Sequence, residues 1–197
     1  MKNKSITKKI IMGKFKGKTL KLPSMETTRS SKSIVMESFF NTIQFEIIDA
    51  YFVEVFSGSG SIGLEALSRG ASNIFFMERD REAIKVLNQN ISQTDASACQ
   101  VFTGDSFSNI GEVVKRLKKK NEDAYFYIDP PFSIREGMED IYEKMIKLIA
   151  SLPEEVVKLI VIEHMTGLEI PSSIGSFEVT KSKKFGNTSL TYLSLTI

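Results

Sequence analysis

From Asp49 to Glu163 the sequence alternates strand-like apolar runs with helix-like segments, and this alternation limits the fold more than any other feature. The apolar runs are short and nearly continuous, which is typical of strands buried on both faces of a sheet. The segments between them are long enough to form the crossover helices that parallel strands need. We therefore predict an α/β fold with a mostly parallel sheet, whose strands cover Tyr51–Phe56, Asn73–Glu78, Cys99–Thr103, Ala124–Ile128 and Val157–Glu163.

The two ends of the chain depart from this alternation. At the carboxyl end, a tight turn at Gly186 and Asn187 predicts an antiparallel hairpin that closes the sheet. At the amino end, apolar and basic residues alternate on either side of a glycine-containing turn, which predicts a second hairpin. Helical spacing then predicts a linking helix from Ser30 to Gln44. We expect an arm over residues 1–25 and one domain over residues 26–197. The remaining predicted elements are hairpin strands at Lys8–Lys14, Lys18–Leu22, Ser176–Phe185 and Thr188–Ile197, and helices ending near Arg69 and covering Arg81–Ile91, Phe107–Lys120 and Met138–Ala150.

Positive charge is concentrated at the amino end. The chain of 197 residues has a net charge of +2, but residues 1–25 hold eight lysines and no acidic residue, so the rest carries −6. A basic arm on a mildly acidic body is typical of a protein that contacts nucleic-acid phosphates. We expect Lys14, Lys16 and Lys18 to contact RNA, and Lys181, Lys183 and Lys184 to add to the same surface or to protect a sheet edge.

Composition excludes several other classes of protein. No apolar run approaches the roughly 20 residues that cross a bilayer, and the lysine-rich start lacks the apolar stretch of a secretory signal. We therefore expect a cytoplasmic protein. With one cysteine and one histidine, the chain has neither an internal disulfide nor a Cys/His zinc cluster, and we expect no metal.

A glycine-rich loop follows the first strand of the sheet. Gly58, Gly60 and Gly63 lie between a buried strand and a helix, where glycines let the backbone approach a ligand closely. This spacing also fits a dinucleotide site, with Glu78 as the acid that binds a ribose. Glu54 favours S-adenosylmethionine instead, because its carboxylate can meet the amino group of the methionine part but would repel a pyrophosphate.

The remaining cofactor contacts are predicted around the ends of the first three strands. Glu78 would bind the ribose hydroxyls, and the turn at Gly104, Asp105 and Ser106 would reach the adenine amine. The full set of predicted cofactor-binding residues is Glu54, Phe56, Ser57, Gly58, Gly60, Glu78, Arg79, Asp105 and Ser106.

The fourth strand ends in Asp129, Pro130, Pro131 and Phe132, at the edge of the sheet where open α/β folds bind ligands. The prolines remove backbone donors, so nearby carbonyl groups only accept hydrogen bonds. Such a corner suits an exocyclic amine of a base, held by the Asp129 carboxylate and the Pro130 carbonyl, with Phe132 stacked on the extruded ring. We predict that His164 is a partly exposed residue at a strand end and not a catalyst.

Taken together, these motifs resemble the RsmD-type family of bacterial 16S ribosomal RNA guanine-N2 methyltransferases. Residues 11–20 are similar to the family's I-G-G-x-x-K-G-R-x-L hairpin. Residues 54–71 closely match its D-L-F-A-G-S-G-x-L-G-L-E-A-L-S-R-G-A block, with 63–71 intact. Its T-R-P-T-x-D-x-V-R-E-A-L-F-N stretch is matched at Thr28, Arg29, Val35, Glu37, Phe40 and Asn41.

The resemblance implies a class I S-adenosylmethionine-dependent methyltransferase fold. It also implies methylation of a guanine N2 amine in 16S ribosomal RNA of the small subunit or its assembly intermediate, with Arg29 among the RNA contacts. The chain departs from the family at Glu54, which replaces aspartate, at Ser30, which replaces proline, and at Ile34 and Met36, which replace basic residues.

Three other functions remain open at this point. The same corner serves methyltransferases that act on adenine or cytosine, the glycine loop alone would suit a nicotinamide-dependent oxidoreductase, and the basic arm alone would suit a non-catalytic RNA-binding or assembly factor.

Overall fold

A single eight-stranded sheet forms the centre of the protein. The computed structural model describes residues 6–23, 30–131 and 140–196, with the side chains of 30–32 left out. The strands are β1 Thr7–Lys9, β2 Thr19–Lys21, β3 Tyr51–Glu54, β4 Asn73–Glu78, β5 Cys99–Thr103, β6 Ala124–Ile128, β7 Val157–Met165, β8 Ser173–Ile174, β9 Phe177–Phe185 and β10 Thr188–Leu195. The sheet has the order β5-β4-β3-β6-β7-β10-β9-β8, and a separate two-stranded sheet pairs β1 with β2.

Helices cover both faces of this sheet. They are α1 Ser30–Thr42, α2 Ser61–Ser68, α3 Arg81–Ile91, α4 Ser106–Lys120 and α5 Ile141–Ala150. One core contains buried residues of α1, α2 and α3, and the other contains those of α4 and α5. The prediction of a mostly parallel α/β sheet is confirmed, because β3 to β7 pair in parallel. The carboxyl-terminal hairpin is confirmed as well, since β10 runs antiparallel to both of its neighbours.

The amino-terminal hairpin is built into the fold through α2. Glu65 has no exposed surface, and its carboxylate accepts hydrogen bonds from the backbone N–H groups of Ile11 at 2.8 Å and Met12 at 3.1 Å. Ser68 accepts one from Phe15 N–H at 2.9 Å. The apolar residues of the hairpin also belong to the core, since Ile10 is buried. The basic arm is therefore held at a fixed place.

A second contact joins the arm to the glycine loop. The buried Asn90 side chain of α3 accepts from Lys21 N–H and donates to the Lys21 carbonyl, both at 2.9 Å. The same amide group donates to the Ser59 carbonyl at 2.9 Å. One side chain thus fixes both the end of the arm and the loop after β3.

Several predicted boundaries and one predicted environment are wrong. The hairpin strands are shorter than predicted, because a bend and a turn cover residues 12–17, although Ile10 N–H still bonds to the Lys18 carbonyl at 3.0 Å. β7 continues past Glu163 to Met165 and pairs with β10, so His164 is buried and not partly exposed. Its ring lies 2.9 Å from Thr191 Oγ1, and burial lowers the pKa of its imidazole.

The predicted ends at Met138 and Ile197 lie outside the described residues. Within the described part of the chain, no helix is both long and apolar enough to span a bilayer.

Candidate active site

The glycine loop and the proline corner meet where the strand order of the sheet reverses. From β3 the chain adds β4 and β5 on one side, then returns to place β6 on the other side of β3. Glu54 at the end of β3 pairs in register with Tyr127 of β6, and Val55 N–H donates to the Tyr127 carbonyl at 3.0 Å. Such a reversal leaves a crevice at the carboxyl ends of the strands, which is where α/β sheets bind ligands.

Glu54 holds the glycine loop through a hydrogen bond to the backbone at the start of α2. It is 4% exposed, and its Oε2 accepts a hydrogen bond from Gly63 N–H at 2.8 Å, at the start of α2. Gly58 and Gly60 have φ angles of 51° and 75°, in the left-handed region that disfavours side chains. A Cβ on Gly60 would also lie 2.3 Å from Leu87 Cδ1. The backbone of the loop therefore favours glycine at these positions, and the Glu54 carboxylate is bonded to its end.

Glu78 sits at the end of the next strand and faces the same loop. Its Oε2 accepts from Gly58 N–H at 2.7 Å, and its Oε1 accepts from the N–H groups of Arg79 and Asp80, both at 2.8 Å. A carboxylate has about four lone-pair sites. Three bonds fix its orientation and still leave acceptor capacity for a ligand hydroxyl.

The other predicted cofactor residues divide into two groups. Ser57 and Ser106 are buried and make bonds within the fold, since Ser57 Oγ donates to the Glu54 carbonyl at 2.9 Å and Ser106 Oγ donates to the Val55 carbonyl at 2.6 Å. Asp105 is exposed and caps α4 by accepting from Ser108 N–H at 3.0 Å. The serines thus shape the crevice, whereas Asp105 borders it.

Two further predicted residues lie around the loop. Arg79 is exposed and Phe56 is half-buried. The Phe56 ring packs edge-to-face on Phe107 of α4 at 5.7 Å between centroids. This pair forms an apolar wall of the kind that can flank a planar ring.

The proline corner leaves β6 in the same crevice. Asp129 and Pro131 are half-buried, and Pro130 is buried. Phe132, the predicted stacking residue, lies outside the described residues. The arrangement offers a carboxylate and backbone carbonyls as acceptors, next to the loop that Glu54 and Glu78 hold.

Two tyrosines near this corner were not predicted from the sequence. Tyr127 donates to Glu163 Oε2 at 2.6 Å, and burial together with the Glu163 and Asp129 charges raises its pKa well above the ordinary value. Tyr142 of α5 also has a raised pKa, first through burial and then through Asp129. Both tyrosines therefore stay protonated at neutral pH.

The predicted RNA-binding lysines lie on the surface of the arm. Lys14, Lys16 and Lys18 are exposed. The Lys14 and Lys18 ammonium groups lie 5.3 and 5.4 Å from the centroid of the Phe15 ring, and Lys18 Nζ also bonds to the Gln93 carbonyl. Arg29 lies outside the described residues.

The acceptors in the crevice fit S-adenosylmethionine. Its ammonium group, ribose hydroxyls and adenine amine are all donors, and three successive strand ends supply carboxylates at Glu54, Glu78 and Asp105. A pyrophosphate would face these same negative charges at close range. The three carboxylates of the crevice therefore favour S-adenosylmethionine over a nicotinamide dinucleotide. No group of three or more potential metal ligands occurs among the described residues.

Comparison with known proteins identifies the family. Residues 8–194 match the model of a family described as "Conserved hypothetical protein 95". The chain belongs to this family. A family match over nearly the whole length means that the arm, the glycine loop and the proline corner are parts of one family architecture. The predicted resemblance to the RsmD-type methyltransferases is confirmed.

Two relatives of the chain are named as ribosomal RNA methyltransferases. The chain is 29% identical over 188 residues to the Bacillus subtilis protein YlbH, which is provisionally named an rRNA methyltransferase, and the match covers 91% of this chain and 95% of the relative. It is 32% identical over 124 residues to ribosomal RNA small subunit methyltransferase D of Escherichia coli K12. That second match covers 63% of this chain and 60% of the relative.

Solved structures agree with the fold. The Escherichia coli protein yhhF, provisionally described as a methyltransferase, superposes with a TM-score of 0.75 at 26% identity, covering 98% of this chain and all of the other. The rRNA methyltransferase aviRa from Streptomyces viridochromogenes shares the fold at 12% identity, with a TM-score of 0.62 and coverage of 88% and 87%. The predicted class I methyltransferase fold is thus confirmed.

Proposed function

We propose that this protein transfers a methyl group from S-adenosylmethionine to the exocyclic N2 amine of a guanine in 16S ribosomal RNA of the small subunit. One observation carries the proposal. The loop held by Glu54 and Glu78 and the Asp129 corner leave neighbouring strands at the point where the sheet order reverses. The names of the relatives support ribosomal RNA as the substrate, and the family resemblance supports guanine N2.

In this proposal the protein acts mainly by positioning. S-adenosylmethionine, when bound, supplies an electrophilic methyl group on a positively charged sulfur. The Asp129 carboxylate and the Pro130 carbonyl accept hydrogen bonds from the two N–H groups of the guanine amine, and Phe132 stacks on the base. These bonds orient the nitrogen lone pair, which is otherwise delocalised into the ring. No strong base is required, because the amine can lose its proton after attack.

For the cofactor, we expect titration calorimetry to show S-adenosylmethionine binding and no comparable binding of NAD. Glu78→Ala should weaken the affinity for S-adenosylmethionine by about tenfold to a hundredfold, since it removes a charged hydrogen-bond acceptor worth about 1.5–3 kcal/mol. Glu82→Ala on α3, which is exposed and four residues further along the chain, serves as the matched control. Tight binding of NAD alone would overturn the cofactor assignment.

For the RNA, we propose that the arm, a distinct unit over residues 1–25, contacts phosphates through Lys14, Lys16 and Lys18. We propose that Arg29, in the domain over residues 26–197, contacts the RNA as well. Such contacts release counterions, so binding weakens as salt rises. We further propose that the protein acts in the cytoplasm, on 16S ribosomal RNA in the small ribosomal subunit or its assembly intermediate.

Replacing Lys14, Lys16 and Lys18 by alanine should weaken RNA binding and make the slope of log affinity against log salt shallower by about 2, at about 0.7 per phosphate contact. Point substitutions are preferable to deleting the arm, because Ile10 and Leu20 are buried in the core. The control replaces Lys118, Lys119 and Lys120 at the end of α4, which packs on the other face of the sheet. Equal slopes for both triple variants would contradict this role of the arm.

A further inference from the structure

A second basic site lies between α1 and β9, away from the arm. An open pocket of about 570 Å³ is lined there by Ile34, Glu37, Ser38, Asn41, Thr42, Lys181 and Lys183. Both lysines project from alternate positions of β9 toward α1, whereas Lys184 follows on the other side of the strand. We call this the α1–β9 pocket.

Lys183 is held in place inside this pocket. It is half-buried, and its Nζ donates to Ser38 Oγ and Thr42 Oγ1, both at 3.0 Å. An ammonium group has three donors, so one remains for a ligand.

Positive charge in the pocket is poorly compensated. The Lys181 and Lys183 ammonium groups are close enough for Lys181, together with burial, to lower the pKa of Lys183. No ion pair joins either lysine to a carboxylate among the residues that the structure describes, although Glu37 lies on the rim. Two like charges held together in this way create a potential that attracts an anion.

The pocket and the Asp129 corner lie at the same position along the direction of the strands. Glu163 of β7 pairs with Leu190 of β10, and Leu190 pairs with Lys183 of β9. On the other side, Ile162 pairs with Ile128, so Asp129 and Glu163 are the next residues of their strands. Lys183 is therefore three strands from Asp129, or about 14 Å at about 4.8 Å per strand.

Both sites also lie on one face of the sheet. The Tyr127 ring contacts Phe39 of α1 at 5.1 Å between centroids, and Lys183 bonds to the same helix. A short run of nucleotides can bridge this distance. We propose that the α1–β9 pocket binds backbone phosphates of the RNA whose base enters the Asp129 corner, one at each lysine, a proposal that rests on the function proposed above.

The test is the salt dependence of binding to a transcript of the small-subunit ribosomal RNA. The variant Lys181→Met/Lys183→Met keeps the apolar stems and should make the slope of log affinity against log salt shallower by about 1.4, for two lost contacts at about 0.7 each. The single variant Lys183→Arg, which keeps the charge, should retain most of the wild-type slope. In methyl-transfer assays KM for RNA should rise while kcat and the affinity for S-adenosylmethionine stay unchanged.

The control variant Lys119→Met/Lys120→Met, at the exposed end of α4, removes the same charge from outside the pocket. An unchanged slope in the pocket variant, or an equal change in the control, would overturn the proposal. If thermal unfolding shows that the double variant does not fold, Lys181→Met alone decides, with an expected change of about 0.7. If the wild type binds RNA but transfers no methyl group, the proposed function fails, and the slopes still decide whether the pocket binds phosphate.

Discussion

Asp129→Ala should lower the rate of methyl transfer to ribosomal RNA by about 10²–10³-fold, the size of effect seen when one preorganised hydrogen-bonding group is removed from an active site. The variant loses the carboxylate that accepts a hydrogen bond from the base amine. Its affinity for S-adenosylmethionine should change little, because Glu54 and Glu78 hold the cofactor loop. Single-turnover transfer and titration calorimetry measure the two quantities separately.

Asp123→Ala provides the matched control for this experiment. Asp123 immediately precedes the first residue of β6 and is exposed, so it carries the same charge at the opposite end of the strand from the crevice. We expect it to transfer methyl groups at the wild-type rate. Near-normal transfer by a folded Asp129→Ala protein would refute the role of the corner.

Glu65→Ala should lower the free energy of unfolding by about 3–5 kcal/mol, the usual result of removing one partner from a buried ion pair. Glu65 and Arg69 form such a pair at 2.7 Å, with side chains 0% and 8% exposed. Without the carboxylate, the Arg69 guanidinium remains buried and the N–H groups of Ile11 and Met12 lose their acceptor. Denaturant unfolding measures the stability, and limited proteolysis within residues 10–18 reports release of the arm.

Glu143→Ala tests whether burial causes this effect. Glu143 and Lys147 form an ion pair with the same helical spacing, but the two side chains are 68% and 72% exposed. Such pairs contribute less than about 1 kcal/mol, so this variant should unfold almost like the wild type. Equal losses of stability in the two variants would mean that the Glu65 contacts do not hold the arm.

The sequence was sufficient to predict the elements that depend on local pattern. The apolar runs located β4, β5 and β6 at their observed bounds. For β4 and β6 the reason is that strands buried on both faces show continuous apolar residues. The glycine loop and the Asp129 corner were placed correctly at strand ends, because both break the pattern abruptly. The two-residue strand β8 was missed, since two residues show no periodicity.

Contacts between distant parts of the chain could not be predicted in this way. The Tyr127–Glu163 hydrogen bond joins residues 36 positions apart and exists only because β6 and β7 pair in one register. The bond between Ile11 and Glu65 spans 54 positions, so the arm's fixed attachment could not be read from its lysines. The direction of Lys183 toward α1 likewise depends on how α1 packs on the sheet.

The central claim is tested most directly by identifying the methylated nucleoside. Small-subunit ribosomal RNA from cells lacking this protein is incubated with the purified enzyme and isotopically labelled S-adenosylmethionine, then digested to nucleosides and analysed by mass spectrometry. We predict label in N2-methylguanosine, accumulating about 10²–10³-fold more slowly with the Asp129→Ala variant. Label in a methylated adenosine or cytidine, or no transfer by the wild-type enzyme, would contradict the proposed methylation of guanine N2.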